Sequence, residues 1–186
     1  MWRSQFLSTT SLLLLLLSGC DDDECGPMGA PPDGLTASSV DVTLTFGQMI
    51  SRAGSDCPDP ATPDIIAVTV EGRQTDGTGF ITLCIPRPDL LEMGNRTLGH
   101  TTSTADIRII DLDGSANNCT YKIDKTRIPT GKGAGIGVCN NGTDSAGFAL
   151  DLDGAISLTR TCGATVDTIG VKLTGKFAVP AEPSRR

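Results

Sequence analysis

The chain of 186 residues carries a single histidine, His100, in the run Gly99-His100-Thr101-Thr102-Ser103. Ser-His or Cys-His catalysis would have to pass through it, and a metal site needing two histidines is excluded. Its Gly/Thr/Ser surroundings read as a solvated loop, so no residue is assigned a catalytic role. Two Asp-x-Asp-Gly runs follow, Asp111-Leu112-Asp113-Gly114 and Asp151-Leu152-Asp153-Gly154. An EF-hand loop that opened this way would need a bidentate Glu at its twelfth position, where Lys122 and Cys162 stand instead. Asp111, Asp113, Asp151 and Asp153 therefore count as calcium candidates only through inter-loop arrangements, and their first reading is turn chemistry. The glycine-rich run Gly131 to Gly137 matches neither phosphate-loop pattern, and no helix signal follows it. Paired carboxylates for glycoside hydrolysis lack a sugar platform, because aromatic residues make up only 4% of the chain.

The richest chemistry is that of cysteine. The chain opens Met1-Trp2-Arg3, continues through an apolar run from Leu12 to Leu17, and reaches Ser18-Gly19-Cys20. One positive charge, a short apolar run and small residues before a cleavage point are the parts of a secretory signal. The run is too short to cross a bilayer as a helix, which takes about 20 apolar residues. Leu17-Ser18-Gly19-Cys20 resembles the lipobox of bacterial lipoproteins. That resemblance covers residues 1–20 only, and it implies removal of residues 1–19 with a diacylglycerol thioether, and acyl chains such as palmitate, on Cys20. Asp21 resembles the inner-membrane retention signal of enteric bacteria, and the choice between inner and outer membrane stays open. The alternative is an ordinary signal peptide whose Cys20 enters a disulfide.

Cysteine parity fits the lipid. Of seven cysteines, setting Cys20 aside leaves Cys25, Cys57, Cys84, Cys119, Cys139 and Cys162, an even number without a CxxC pair. In an exported chain they read as three structural disulfides, with about fifteen possible connectivities. No cofactor is implied beyond the covalent lipid. The formal charge is −7, which disfavours nucleic acid, whose binding rests on neutralising phosphates. The expected partners are a membrane, through the anchor, and a protein of the cell envelope.

The elements that position these residues are strands. Val40, Val42, Leu44 and Phe46 alternate with polar residues, as do Ile169, Val171, Leu173, Phe177 and Val179. Ile66-Val68-Val70 and Ile81-Leu83-Ile85 flank Gln74-Thr75-Asp76-Gly77, and pairing Val70 with Ile81 would put all six apolar residues on one face. Three-residue loops at Asp113-Gly114-Ser115 and Asp153-Gly154-Ala155 predict two tight hairpins, the first aligning Ile109 with Cys119, the second Leu152 with Ile156. Gly131 to Gly137 reads as an edge or a bulge, and Pro88 to Met93 as one helical turn stopped by Gly94.

The pattern predicts an all-β fold, an antiparallel β-sandwich of roughly seven to nine short disulfide-stapled strands, with a small β-barrel as the alternative. Residues 20–34 read as an acidic, Pro/Gly-rich tether, 35–179 as one β domain and 180–186 as a flexible tail. The functional expectation is a membrane-anchored envelope lipoprotein with a non-enzymatic binding or structural domain. The alternatives are an exported hydrolase using His100 or paired carboxylates, and a calcium-dependent adhesion module.

Overall fold

The computed structural model describes residues 34–54, 57, 60–61, 63–64, 67–88, 94–100, 104–140 and 146–181. The fold is all-β. Its strands are β1 (Gly34–Ser38), β2 (Thr43–Gly54), β3 (Ala67–Gln74), β4 (Phe80–Ile85), β5 (Gly94–His100), β6 (Ile107–Ala116), β7 (Cys119–Ile123), β8 (Thr130–Asn140), β9 (Ala146–Cys162) and β10 (Thr165–Ala181). Among the described residues they form one mixed sheet of ten strands in the order β10-β1-β2-β3-β4-β6-β5-β8-β9-β7. Because β10 also pairs with β9, the hydrogen-bonded order returns to its start. Within this circuit, β5 and β8 fill the space between β6 and β9 along one stretch, and β7 alone fills it along the next. The parallel pair β5–β6 is the exception among antiparallel neighbours.

Alternation along each strand sends one set of side chains inward. Leu35, Leu44, Phe46, Val70, Leu83, Ile107, Leu112, Tyr121, Leu158 and Leu173 belong to one buried cluster that draws on strands all round the circuit. Each such side chain contributes about 1.5–3 kcal/mol by leaving water. Bulges adjust the phase. One in β2, between Gly47 and Ile50, buries Met49 and turns Ile50 outward. Another, where β6 passes β4, inserts Ile110 between Ile109 and Asp111. Ile110 packs on a second cluster of Cys57, Ala67 and Cys84. The Cys57–Cys84 disulfide holds the residue Cys57, after β2, against the outer side of β4, where Cys84 stands opposite the buried Thr69.

Several local expectations are corrected. Asp113-Gly114 and Asp153-Gly154 do not turn; both lie inside strands. The β6–β7 turn is Asn117-Asn118, both with positive φ, and it places Ala116 opposite Cys119. Consecutive positive φ values suit a two-residue hairpin, and asparagine tolerates them. β9 runs 17 residues, straight through Gly154, to a turn at Gly163-Ala164. Gly154 is instead an inward position without space: a Cβ there would stand 2.5 Å from Leu98 Cδ2 and 3.1 Å from the Thr130 carbonyl oxygen. Gly114 likewise faces Leu44.

The β3–β4 pairing slips by two residues from the expected one, with Val68 opposite Ile85 and Val70 opposite Leu83. The slip preserves the buried faces, since side chains repeat every two residues. Gly72 fits opposite Ile81 because a larger residue would strike Met49, and Gln74 anchors the longer loop. The buried Gln74 amide donates to the Ser115 carbonyl at 2.7 Å and accepts from the Ser115 N–H at 2.9 Å, as a strand backbone would. Val40 belongs to a turn closed by Ser39 N–H to Val42 O and is fully exposed. The glycine-rich run is interior to the sheet, β8 lying between β5 and β9, with a bulge between Gly135 and Gly137. Of the expected helical turn only Pro88 is described; residues 89–93 and Ile66 lie outside the described residues, as do Cys20, the candidate for lipidation, the sequence before Gly34 and the residues from 182.

Gly154 supplies a test of this topology. Gly154→Ala is expected to destabilise the protein by about 1–3 kcal/mol through overpacking against buried Leu98. An unchanged midpoint in chemical denaturation would indicate a roomy turn at this position instead.

Candidate functional site

The four candidate carboxylates sit on β6 and β9, flanking the inward-facing Leu112 and Leu152, and they point away from the core. Each faces a lysine. Lys122 on β7 lies directly across from Asp113, with Nζ 3.2 Å from Oδ2, and Lys125 Nζ lies 3.9 Å from Asp111 Oδ1. Lys176 stands across from Asp151 at 3.2 Å, and Lys172 reaches Asp153 at 3.1 Å. β6 and β9 are not neighbours, β5 and β8 lying between them along one stretch and β7 along the next, so the repeated Asp-x-Asp pattern does not converge on one point. Among the described residues, no three His, Cys, Asp or Glu side chains form a group able to hold a metal ion. These exposed pairs order the outer face and contribute little individually.

His100 is not a loop residue. It ends β5, half-buried, with Ile109 of β6 as its register partner, while residues 101–103 lie outside the described residues. Among the cysteines, Cys57 pairs with Cys84 and Cys119 with Cys162, their Cα atoms 6.2 Å and 4.4 Å apart. The second disulfide joins the first residue of β7 to the last of β9, next to the register pair Thr120–Thr161. A disulfide in a small domain typically contributes about 2–5 kcal/mol to its stability. Cys25 lies outside the described residues. Cys139 is described by its backbone alone, on β8 across from Gly147.

Two arrangements were not anticipated from the sequence. The first is a groove of about 530 Å³ on the outer side of β2, β3 and β4, lined by Ile50, Glu71, Gly72, Arg73, Gly79 and Phe80. Ile50 is 60% exposed and Phe80 41%, and Arg73 is the register partner of both Gly47 and Phe80. An apolar concavity with a few polar groups is the usual form of a binding site. Phe80 was findable, since it precedes the buried alternation Ile81-Leu83-Ile85 and so must face outward. Ile50 was hidden by the bulge before it.

The second is a clamp at the β9–β10 turn. Arg160 donates through Nε and Nη2 to the two carboxylate oxygens of Asp167, and its Nη1 lies 3.6 Å from Asp41 in the β1–β2 turn. The hydrogen bonds from Arg160 hold the Asp167 carboxyl below its ordinary range, and the same contacts raise the Arg160 guanidinium. Between β7 and β8, the hydroxyl and N–H of Thr126 both donate to Asp124 and lower its pKa as well. None of these groups faces the groove or His100 in strand register. They fix turns.

No known protein family matches this chain, and no curated protein or solved structure matches it either.

Two outcomes follow from the electrostatics. Asp167→Asn should lower the melting temperature at neutral pH, and its gap from the unsubstituted protein should close in acid. The stabilisation from a lowered carboxyl pKa is complete above the ordinary value near 4 and fades as pH falls through the folded value. A gap that persists or widens in acid would contradict the clamp. Millimolar calcium should leave the melting temperature unchanged, because the four candidate carboxylates already face lysines; a clear rise would reveal a bound cation by mass action.

Proposed function

We propose that this chain is a lipid-anchored protein of the bacterial cell envelope, its β domain serving as a binding or structural module and not as a catalyst. The observation that carries the reading is Leu17-Ser18-Gly19-Cys20 at the end of a short apolar run behind a single basic residue. The disulfides Cys57–Cys84 and Cys119–Cys162 support it, since such bonds persist in oxidising compartments outside the cytoplasm. The acidic composition suits a domain held near an anionic membrane surface without adhering to it.

For the module itself, the groove between Ile50 and Phe80 is the surface best suited to a partner. It offers apolar area with Glu71 and Arg73 to orient what binds. Catalysis has less support: the candidate carboxylates face lysines across strands, and the groups with shifted titration fix turns.

The test is the intact mass of protein purified from its host's membranes, with a detergent phase-partition assay alongside. A mass beginning at Cys20 with a diacylglycerol adduct is expected, and Cys20→Ser should move the protein from the detergent phase to the aqueous phase. An unlipidated mass, with the wild type in the aqueous phase, would overturn the anchor.

A further inference from the structure

We infer that the open edge of β10, Thr165 to Val171, pairs antiparallel with the same edge of a second copy of this chain, about a two-fold axis at Val166. Among the described residues this stretch is paired only with β9, because β1 joins β10 no earlier than Lys172. Thr165 closes the two-residue turn onto Cys162, so its N–H points to β9. Along an antiparallel ladder that direction alternates, and the N–H and C=O of Val166, Thr168 and Gly170 therefore point to the open side. Neither the lipid anchor nor the groove enters this pairing.

Such an edge is a template for another strand, and proteins usually blunt it with lysine, proline, a bulge or a covering segment. Thr165-Val166-Asp167-Thr168-Ile169-Gly170-Val171 holds neither lysine nor proline, and its register with β9 runs without a shift. Its one charge, on Asp167, is engaged by Arg160. Val166 is 63% exposed on the outer face. At Gly170 a Cβ would meet nothing within 4 Å, so the chain's own packing does not demand glycine there. A glycine inside a strand often marks the close approach of another backbone.

Parity and sterics select the axis. The free groups sit on even-numbered residues, so the two edges match only where even residues face even residues. An axis at Thr168 would set Ala164 of the second copy opposite Lys172, where Ser38 of β1 already stands. An axis at Asp167 would set two like charges face to face, which is destabilising. An axis at Val166 avoids both. Val166 then faces Val166 of the second copy, Thr165 faces its Asp167, and Thr168 faces its Ala164. The second copy's turn at Gly163 ends opposite Ile169, short of Ser38, and Gly170 leaves it space. Two exposed valines leave water together, and β6, β7, β9 and β10 of each copy join as one sheet. The contact takes about five residues a side, against roughly 20–30 in a standard interface, so the association is weak and concentration-dependent.

Cysteine placement reads the axis directly. The two Cα atoms at position 166 would lie about 5.5 Å apart across the pair, within reach of a disulfide. Those at position 168 would lie roughly 14 Å apart along the strands, out of reach. Full-length Val166→Cys and Thr168→Cys are expressed in the host and mildly oxidised on intact cells. After purification the linkages are mapped by mass spectrometry without reduction, and melting temperatures matching the unsubstituted protein show that the fold is retained. The expected result is a dimer bonded 166 to 166 in the first variant and no 168-to-168 bond in the second. Adding Thr168→Pro to Val166→Cys obstructs the open edge without removing a bond to β9, and the link is expected to be lost. No link at position 166, equal linking at both positions, a link that survives Thr168→Pro, or a bond from position 166 to a different protein would each overturn the pairing.

Discussion

Phe46 from β2, Leu83 from β4, Leu112 from β6, Tyr121 from β7 and Leu158 from β9 all end in the same apolar interior, and the rest of the molecule is arranged around that meeting. A strand offers the interior every second residue, so its neighbours on either side must present their apolar set at the same phase. Phase is what the circuit of strands has to maintain from β10 through to β9. Where the sequence breaks phase, the backbone absorbs the difference in a bulge: in β2 before Ile50, in β6 at Ile110, and in β8 at Gly135 to Gly137. Where two walls come too close, glycine replaces a side chain, as at Gly154 beneath Leu98 and Gly114 beneath Leu44.

Pairing on both sides spares most strands an open edge along part of their length, which limits the templates available for unwanted strand addition. It also makes the fold dependent on contacts distant in sequence. β10, the last strand, sits beside β1, the first described. The disulfides lie where this long-range order needs help. Cys57–Cys84 fastens the chain after β2 to the outer face, and Cys119–Cys162 fastens the short β7 beside the far end of β9. The Arg160 clamp joins that same region to the β1–β2 turn.

Much of this was legible in the sequence because alternation is local. The inward sets Val68-Val70, Ile81-Leu83-Ile85 and Val171-Leu173 were identified correctly, even where the partner register was displaced by two residues. Glycine misled. Asp-Gly is a strong hairpin signal, but the same dipeptide serves a strand whose inward side has no space for a Cβ, and the deciding atom at Gly154 belongs to Leu98, more than fifty residues earlier. The true turns, Asn117-Asn118 and Gly163-Ala164, begin three and nine residues beyond the two Asp-Gly glycines and carry their own local signal. The parallel placement of β5 beside β6, and with it the strand position of His100, depends on non-local pairing that no window of sequence contains.

The candidate site was the least legible part, and the reason is physical. Sequence draws attention to residues with reactive chemistry, but in this fold Asp111, Asp113, Asp151 and Asp153 order the outer face through lysines on neighbouring strands and on the turn after β7. What distinguishes one surface from another is shape, and the groove owes Ile50 to a bulge in β2 that turns that side chain outward, with Glu71, Arg73 and Phe80 lining it beside Ile50. In a chain with five Phe, one Tyr and one Trp, aromatic area is scarce, and Phe80 is nevertheless 41% exposed at the rim of that groove. The core does not take up Phe80, because the alternation that buries Ile81 and Leu83 turns it outward. Its apolar area, with Ile50 across the groove and Arg73 as its strand neighbour, is therefore offered to the surroundings of the protein. An exposed apolar area in a concavity is the physical feature on which the proposed binding role rests.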